Sequence, residues 1–236
     1  MCIRDRRRQN TGLRRFVYLS SLSVMGPARE QEPHTEITAA DEARPDTAYG
    51  KSKLESEQRL EAIKGFPFIV LRPTGVYGPR EKDYFMMAQS ISRHVDFAVG
   101  YRPQHLTFIY VMDVVQAVFL ALDHGTVGSR YFISDGRVYS SRTFSDLISN
   151  ELGNPWLLRI KAPLWLLRII SLAGEWTARI TGKISALNND KYNIMKQRNW
   201  MCDIKPAENE LGYKPQYDLK RGVAATIKWY KDNGWL

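Results

Sequence analysis

The chain has few residues of the types that form disulfides or bind metals. Its 236 residues include two cysteines, Cys2 and Cys202, and four histidines, which are scattered without the spacing of metal ligands. Structural zinc sites and disulfide frameworks need several such residues at short, regular intervals. We therefore predict no metal site. Because the thiols form no disulfide pattern, a reducing, cytoplasmic location is expected.

A phosphate-binding glycine pattern is also missing. None of the 16 glycines belongs to a Gly-x-Gly-x-x-Gly sequence, the turn that brings a dinucleotide pyrophosphate onto a helix N-terminus. The acidic residue expected about 20 positions later, which would bind the adenosine ribose, is missing as well. The sequence therefore predicts no site of its own for the phosphates of a dinucleotide.

No apolar run is long enough to predict a membrane-spanning helix. Arg159, Lys161, Pro163 and Arg168 interrupt the most apolar stretch, residues 156–176, whereas a spanning helix needs about 20 apolar residues. The favoured interpretation is a helix from about Leu164 that packs its leucines and isoleucines over a substrate site. Contact with a membrane surface, which the basic and tryptophan-rich flanks would suit, is the less favoured alternative.

The net charge of +9 lacks the arrangement expected of a nucleic-acid-binding protein. The one dense basic cluster is residues 4–8, and the other basic residues are spread along the chain. Such a protein would cluster its basic residues with aromatics or place them in a known motif. We expect a basic surface that helps to attract an anionic cofactor or substrate, and no nucleic-acid partner.

Short apolar runs alternate with segments of helical periodicity, which predicts an α/β fold built on a parallel sheet. Asp or Thr in front of a helix can accept hydrogen bonds from the first-turn N–H groups, so Asp46 or Thr47, Asp113 and Asp218 are predicted N-caps. The predicted strands are residues 16–21, 66–71, 106–111, 131–134 and, half exposed, 158–160; the predicted helices include residues 84–94, residues 114–123 and a short helix from Pro206 to Gly212.

The most informative pattern is Tyr49-Gly-Lys-Ser-Lys53, which lies 28 residues beyond the apolar run that ends at Ser21. Residues four apart on a helix share one face, so the phenol and the ammonium group are expected to lie close together. A free phenol titrates at about pH 10, and a neighbouring positive charge favours its ionised form. A serine hydroxyl at the end of an adjacent strand can hold the substrate oxygen. Ser21, Tyr49 and Lys53 are therefore candidate catalytic residues for the reversible oxidation of an alcohol to a ketone.

The order of these motifs resembles the extended short-chain dehydrogenase/reductases, also called NAD-dependent epimerase/dehydratases. The resemblance runs from about Asn10 to the C-terminus and includes Leu71-Arg-Pro-Thr-Gly-Val-Tyr-Gly-Pro79. It implies an α/β fold, the C-terminal part of a Rossmann-like, doubly wound parallel sheet with a small, mostly helical substrate-binding region. NAD or NADP is the implied cofactor. The matching positions imply Ser21, Tyr49 and Lys53 as catalytic residues, Ser20, Tyr49, Lys53, Pro73, Thr74 and Val76 as cofactor-binding residues, and Ser23 and Gly75 as substrate-binding residues.

In that family the glycine-rich turn precedes the strand that delivers the serine, whereas here this strand starts at Phe16. We therefore expect an N-terminal truncation of roughly 100 residues, the span of the first βα units. Residues 1–9 are expected to be a non-native or disordered leader, 10–135 the rest of the NAD(P)-binding domain, and 136–236 an interleaved substrate-binding region. Without the first strands the sheet would expose an unpaired edge. The chain alone is then expected to bind NAD(P) very weakly, to aggregate and to be inactive.

Departures from the family pattern narrow the reaction. Leu22 and Ser23 follow the serine where the family's 4,6-dehydratases have Asp-Glu, and Gly75 stands where its sugar-nucleotide epimerases commonly have asparagine. The apolar segment 163–200 is more like the hydroxysteroid dehydrogenase and dihydroflavonol reductase branch, and an apolar lid suits an apolar ketone or alcohol. We therefore favour an NAD(P)-dependent oxidoreductase acting on a small molecule. A nucleotide-sugar epimerase is the first alternative and a dinucleotide-binding sensor or inactive fragment the second, and a homodimer is left open.

Overall fold

The computed structural model describes residues 12–181 and 189–236, so the predicted leader, residues 1–9, lies outside the described residues. The described strands are β1 (Phe16–Leu19), β2 (Phe68–Pro73), β3 (Gly75–Tyr77), β4 (Val95–Val99), β5 (Phe108–Tyr110), β6 (Arg130–Ile133) and β7 (Leu158–Ala162). The described helices are α1 (Ala48–Glu61), α2 (Lys82–Ser92), α3 (Val111–His124), α4 (Thr143–Glu151), α5 (Leu164–Thr181), α6 (Asn189–Lys196), α7 (Lys205–Leu211) and α8 (Leu219–Asp232); a single 3₁₀ turn, Leu22–Val24, follows β1.

The central sheet is parallel and has the order β1-β2-β6. Leu71 of β2 pairs with Leu19 of β1 on one side and with Tyr131 of β6 on the other. Every residue of β2 is buried, as expected for the middle strand of a parallel sheet that is covered on both faces. Because the strands are parallel, the residues that follow β1 and β2 lie together at one edge.

Helices cover both faces of this sheet. Leu71 packs in one apolar core with Ala117 of α3, while its neighbour Val70 packs in another with Leu60 of α1. Adjacent residues of a strand point to opposite faces, so α1 and α3 lie on opposite sides of the sheet. This is the doubly wound arrangement predicted from the sequence.

A further core is built from aromatic rings between α2, α4 and α8. Its tyrosines and phenylalanines include Tyr77, Tyr84, Phe108 and Phe144, and the rings of Tyr84 and Phe144 stack with centroids 4.6 Å apart. Burial raises the pKa of the Tyr77 and Tyr84 phenols, because a buried phenolate would lose its hydration. These tyrosines therefore stabilise the fold and are unsuited to proton transfer.

Two short parallel pairs complete the strands. β3 pairs with β5, and β4 pairs with β7 so that Phe97 lies opposite Ile160. The strand predicted at residues 158–160 is present as β7, but it is not half exposed, because its apolar residues Leu158 and Ile160 are exposed along with the basic residues between and after them. The β4–β7 pair lies outside the central sheet and leads directly into α5.

The sequence-based helix caps are partly right. The Thr47 side chain, rather than that of Asp46, caps α1, and Asp218 caps α8 as predicted. Asp113 is not a cap, because α3 begins two residues earlier, at Val111. Its buried carboxylate instead accepts hydrogen bonds of 3.0 Å from the N–H groups of Gln216 and Tyr217. A buried carboxylate needs such donors, and here they are supplied by a loop more than 100 residues away.

The expected packing of α5 is wrong for its described side chains. Leu167 is buried, but Leu166, Ile169, Ile170 and Leu172 are exposed. No helix in the described ranges is long and apolar enough to cross a membrane.

The C-terminal region returns to the central sheet. α7, which begins with Lys205 and Pro206 and ends before Gly212 in a left-handed conformation, agrees with the predicted short helix. Its Ala207 and Leu211 pack in the same core as β2. The region from residue 136 onwards is therefore interleaved with the sheet, and the boundary at residue 135 remains a prediction.

Candidate active site

The candidate site begins at the carboxyl end of β1, where Ser20 and Ser21 follow Leu19. The Ser20 N–H donates to the Leu71 carbonyl of β2 at 2.8 Å, so pairing continues one residue beyond the strand. The Ser20 side chain is buried, and its Oγ has no hydrogen-bond partner among the described residues. A buried hydroxyl without a partner costs roughly 1–3 kcal/mol. Such an atom is suited to a ligand that reaches this edge of the sheet.

Ser21 caps the 3₁₀ turn that follows β1. Its Oγ accepts hydrogen bonds from the Ser23 N–H at 3.2 Å and from the Ser23 hydroxyl at 2.9 Å. Ser23 itself is buried. Because Ser21 Oγ is the acceptor in both bonds, its own O–H remains available to donate to a substrate oxygen. Ser23 is thus placed to orient Ser21 rather than to line an open pocket.

Helix α1 lies against this turn through Gly50. The Gly50 N–H donates to Thr47 Oγ1 at 3.0 Å, which fixes the start of the helix. A Cβ atom at residue 50 would lie 2.5 Å from the Ser23 carbonyl oxygen, closer than real Cβ atoms approach. Only glycine therefore permits the first turn of α1 to contact the turn that holds Ser21. The sequence prediction did not single out Gly50, although a glycine inside a first helical turn is a usable signal.

Tyr49 and Lys53 share one face of α1, as their spacing predicts. Lys53 Nζ lies 5.7 Å from the centroid of the Tyr49 ring and 5.2 Å from that of Tyr18. It also donates a hydrogen bond of 2.8 Å to the Leu19 carbonyl oxygen. The ammonium group thus connects α1 to the carboxyl end of β1, directly before Ser20. The Tyr49 side chain is 50% exposed and open to a substrate.

A carboxylate from α6 holds the N-terminus of α1. Asp190 Oδ1 and Oδ2 accept hydrogen bonds from the N–H groups of Ala48 and Tyr49 at 3.0 and 3.2 Å. A negative charge at a helix N-terminus is favourable because the first N–H groups are unsatisfied and carry partial positive charge. Asn193 adds a hydrogen bond from its Nδ2 to the Asp46 carbonyl oxygen at 2.9 Å. No local pattern predicts this contact, since Asp190 lies 142 residues from Ala48.

The segment after β2 brings Pro73 and Thr74 to the same edge. The Thr74 N–H donates to the Ile133 carbonyl at 3.2 Å, and its hydroxyl donates to the Thr107 carbonyl at 2.8 Å. With its side chain engaged inside the protein, Thr74 can offer a ligand its backbone. Gly75 and Val76 continue into β3, and Val76 packs against the main core.

Gly75 lies beside the hydroxyl group of Tyr84. A Cβ atom there would be 2.7 Å from Tyr84 Oη and 3.2 Å from a ring carbon of Phe108. The position therefore has no room for an asparagine or any other larger side chain unless the aromatic core moves. A substrate contact at residue 75 is limited to the backbone.

Away from this edge, two other kinds of site are relevant in the described residues, a metal site and a ligand cavity. No group of three or more His, Cys, Asp or Glu side chains in these ranges could hold a metal ion. A surface cavity of about 560 Å³ is lined by Asp135, Arg137 and residues of α8, and it shares no residue with the candidate site. Burial raises the pKa of Asp135, and the Tyr139 hydroxyl donates to its carboxylate at 2.6 Å. This carboxylate fastens the turn after β6.

Comparison with known proteins identifies the family of the chain. The sequence model of the NAD dependent epimerase/dehydratase family matches residues 5–134. Sterol demethylase protein B of Methylococcus capsulatus is 30% identical over 246 residues, which cover 100% of this chain and 71% of that protein. UDP-glucose 4-epimerase of Vibrio cholerae is 25% identical over 234 residues, which cover 93% of this chain. The chain spans 64% of the length of this epimerase.

Solved structures with similar folds include two that contain a nicotinamide dinucleotide. RMD from Pseudomonas aeruginosa, complexed with NADPH, has a TM-score of 0.71 at 19% identity, over 94% of this chain and 68% of that chain. UDP-glucuronic acid 4-epimerase from Bacillus cereus, in complex with NAD, has a TM-score of 0.68 at 19% identity, over 95% and 63% of the two chains. At this identity the likeness establishes the fold, and the predicted Rossmann-like α/β class is confirmed.

Proposed function

Because the chain belongs to the NAD dependent epimerase/dehydratase family, we propose that its site catalyses nicotinamide-dependent oxidation of a secondary alcohol or reduction of a carbonyl. The observation that supports this most is the position of Lys53. Its ammonium group lies 5.7 Å from the Tyr49 ring and is fixed to the carbonyl of Leu19 at 2.8 Å. A tyrosine and a lysine are thereby held beside the serines that follow β1.

Tyr49, Lys53 and Ser21 have separate roles in the proposed proton transfer. In the oxidation direction, Tyr49 Oη takes the proton of the substrate hydroxyl, and in the reduction direction it returns a proton to the carbonyl oxygen. The Lys53 ammonium stabilises the negative charge that Tyr49 Oη carries while it lacks its proton. The Ser21 hydroxyl donates to the same substrate oxygen and fixes its position, and Ser23 holds Ser21.

The residues at this edge fit the nicotinamide end of a dinucleotide. The buried Ser20 Oγ has no partner among the described residues, and the Lys53 ammonium bonds to the carbonyl of the residue before Ser20. The backbone of Pro73, Thr74 and Val76 follows at the end of the neighbouring strand. When bound, NAD or NADP supplies or accepts the hydride. The similar Pseudomonas and Bacillus structures contain NADPH and NAD respectively, so both cofactors should be tested.

A small apolar ketone or alcohol is the substrate class we favour. Tyr84 and Phe108 fill the space beyond Gly75, which leaves no room for a polar side chain to hold a nucleotide sugar there. A nucleotide-sugar epimerase is the second candidate, and the similarity to the Vibrio cholerae UDP-glucose 4-epimerase supports it. The two are separated by incubation with UDP-sugars and catalytic NAD, because an epimerase forms the epimer without net NADH.

The decisive experiment replaces Tyr49 with phenylalanine in the product of the complete gene. We expect Tyr49→Phe to lower kcat by about 10³-fold, the scale of general acid–base catalysis, while the affinity for NAD(P) changes by less than about twofold. Turnover is measured as NAD(P)H absorbance with a panel of ketones and secondary alcohols, and affinity by calorimetry.

Helix α6 supplies a matched control. Tyr192 and Lys196 are also four residues apart, with Lys196 Nζ 5.8 Å from the Tyr192 ring. Tyr192→Phe removes the same hydroxyl from the same kind of pair, so kcat is expected to stay within about twofold of the unsubstituted protein. If Tyr49→Phe retained full turnover, or if both variants lost it equally, the proposed role of Tyr49 would be refuted.

A further inference from the structure

An apolar and basic surface covers β4, β7 and the start of α5, and we call it the β7–α5 face. Its exposed apolar side chains are Phe97, Leu158, Ile160, Trp165, Ile169 and Leu172. Trp165 is 65% exposed, Phe97 59% and Ile169 57%. Large apolar side chains are seldom exposed together in this way on a protein that stays in water.

The geometry of the two elements makes these residues one surface. Phe97 and Ile160 are directly paired across β4 and β7, and Leu158 lies two residues from Ile160, so all three are on one face of the strand pair. Only Pro163 separates β7 from α5, and a Cβ atom at Gly100 would lie 3.7 Å from Leu164. Helix α5 therefore starts against the end of the strand pair. On the helix, Trp165, Ile169 and Leu172 follow one another at the spacing of a single stripe.

The charged side chains around this face are almost all basic. Residues 93–102 and 156–172 contain five basic residues, Arg93, Arg102, Arg159, Lys161 and Arg168, and one acidic residue, Asp96. Asp96 is buried and is paired with Arg142 at 2.6 Å, so it contributes little negative potential outside the protein. One of the five, Arg159, is paired with the carboxylate of Asp146 at 2.7 Å, and with Lys161 it points to the other face of β7 from Leu158 and Ile160. Arg168 is exposed and lies on α5 three residues after Trp165 and four before Leu172, so it belongs to the apolar stripe itself. The β7–α5 face therefore combines exposed apolar side chains with the positive charge of Arg168.

We propose that the β7–α5 face docks onto the surface of an anionic lipid bilayer. Tryptophan and long aliphatic side chains partition into the headgroup region, and arginine and lysine beside them contact anionic headgroups. A second copy of the chain fits the same surface less well. In a two-fold contact the face would meet itself, and the unpaired guanidinium of Arg168 in each copy would be brought into the same contact.

Docking through this face has a consequence for the candidate site, and this consequence rests on the proposed function. α5 packs against α6, and α6 holds the N-terminus of the helix that carries Tyr49. A bilayer beneath α5 would then lie near the entrance to the site, and an apolar substrate could be taken from the lipid phase.

The test is co-sedimentation of the 236-residue chain with lipid vesicles, which requires no enzymatic activity. One set of vesicles is phosphatidylcholine alone, and the other contains about 30% phosphatidylglycerol to give an anionic surface. We expect binding to the anionic vesicles, weakened about tenfold or more by high salt, and little binding to phosphatidylcholine. Trp165→Glu combined with Ile169→Glu is expected to abolish binding. Arg168→Ala, a milder change, is expected to weaken it about fivefold, the effect of one basic residue near such a surface.

Phe119→Glu on α3 is the matched control. Phe119 is an exposed apolar side chain on a different helix, so its replacement is expected to leave vesicle binding unchanged. Circular dichroism verifies that each variant is folded, and Arg168→Ala serves as the test if the double variant is not. Absence of binding to anionic vesicles, or equal losses in the Phe119→Glu and Arg168→Ala variants, would overturn the proposal. Sedimentation velocity that showed a dimer dissociated by Trp165→Glu, without vesicle binding, would assign the face to a second copy.

Discussion

The chain contains two tyrosine–lysine pairs with almost the same local geometry. Lys53 Nζ lies 5.7 Å from the Tyr49 ring on α1, and Lys196 Nζ lies 5.8 Å from the Tyr192 ring on α6. Their surroundings differ. Lys53 donates to the Leu19 carbonyl at the end of β1, whereas Lys196 donates to Asn193 Oδ1 at 2.9 Å and lies 3.5 Å from the Asp46 carboxylate.

This difference shows what the spacing of a motif can and cannot tell. In both helices the four-residue interval brings a phenol and an ammonium group together, as helix geometry requires. At Lys196 the positive charge is compensated by a carboxylate, so it has less effect on the neighbouring ring. At Lys53 the charge faces a neutral carbonyl beside two serines, and this is the pair that we propose to be catalytic. Two other residues of α6, Asp190 and Asn193, hold the start of α1 through hydrogen bonds.

If only Lys53 has a catalytic role, replacing the two lysines must affect kcat differently. We expect Lys53→Met to lower kcat by about 10²-fold, because the charge that stabilises the tyrosine oxygen is removed, and to weaken cofactor binding. Lys196→Met should leave kcat within about twofold and lower the free energy of unfolding by less than about 1 kcal/mol, as for an exposed ion pair. Steady-state kinetics on the product of the complete gene and urea unfolding provide the two measurements. Equal losses of kcat would show that neither lysine has a specific role.

The two pairs also differ at the residue after the tyrosine, which is Gly50 on α1 and Asn193 on α6. Substitution of Gly50 is expected to have the second largest effect. Alanine in place of glycine normally stabilises a helix by about 1 kcal/mol. Here the added Cβ would lie 2.5 Å from the Ser23 carbonyl oxygen, and overpacking of this kind costs about 1–3 kcal/mol. We expect Gly50→Ala to lower the free energy of unfolding by about 2 kcal/mol and to reduce turnover, because α1 must move away from Ser21.

Ser52→Ala on the exposed side of α1 is the control for this substitution. It changes a small side chain without a close neighbour, and its effect on the free energy of unfolding is expected to be within about 0.5 kcal/mol. Both variants can be compared by urea unfolding monitored by circular dichroism. A Gly50→Ala variant more stable than the unsubstituted protein would mean that α1 does not depend on this close approach.

The contrast between local spacing and tertiary surroundings also explains which features could be predicted from the sequence. The strands, the α/β fold and the shared face of Tyr49 and Lys53 follow from periodicity and spacing, which act over a few residues. The doubly wound arrangement was implied by the family resemblance. Thr47 and Asp218 were recognisable as caps because a cap bonds to its own helix. Asp113 satisfies the same local pattern, yet its carboxylate bonds to the loop at Gln216. A local rule cannot distinguish the two cases when a distant segment supplies the donors.

The packing of α5 and the contact of Asp190 with α1 could not be predicted from the sequence, because both depend on distant segments. An apolar helix is predicted to be buried, but which partner buries it depends on the tertiary arrangement, and most described side chains at the start of α5 are exposed. Gly50 and Gly75 are constrained by atoms of Ser23 and Tyr84 that only the folded chain brings near. The sequence could name the candidate residues, whose roles stay predictions, but it could not name the contacts that position them.

Substitution of Asp190 is expected to have the smallest effect on stability. It tests whether α6 stabilises the N-terminus of α1, the helix that carries Tyr49. Its carboxylate accepts hydrogen bonds from the Ala48 and Tyr49 N–H groups, which no side chain of α1 itself satisfies. We expect Asp190→Ala to lower the free energy of unfolding by about 1 kcal/mol, the usual effect of losing a helix N-cap. Asp190→Asn should lose about half of this, because the amide oxygen can still accept one bond while the favourable charge at the helix N-terminus is gone.

Asp232 in the last turn of α8 provides the matched control, because it is also an aspartate at a helix end but at the opposite pole of the helix dipole. It pairs with Lys228 at 2.8 Å on the surface, so Asp232→Asn is expected to change the free energy of unfolding by less than about 0.5 kcal/mol. Urea unfolding at low and high salt distinguishes the two, since screening should shrink the Asp190 effect. An Asp190→Ala variant as stable as Asp232→Asn would mean that α6 merely lies beside α1 and does not hold the helix that carries Tyr49.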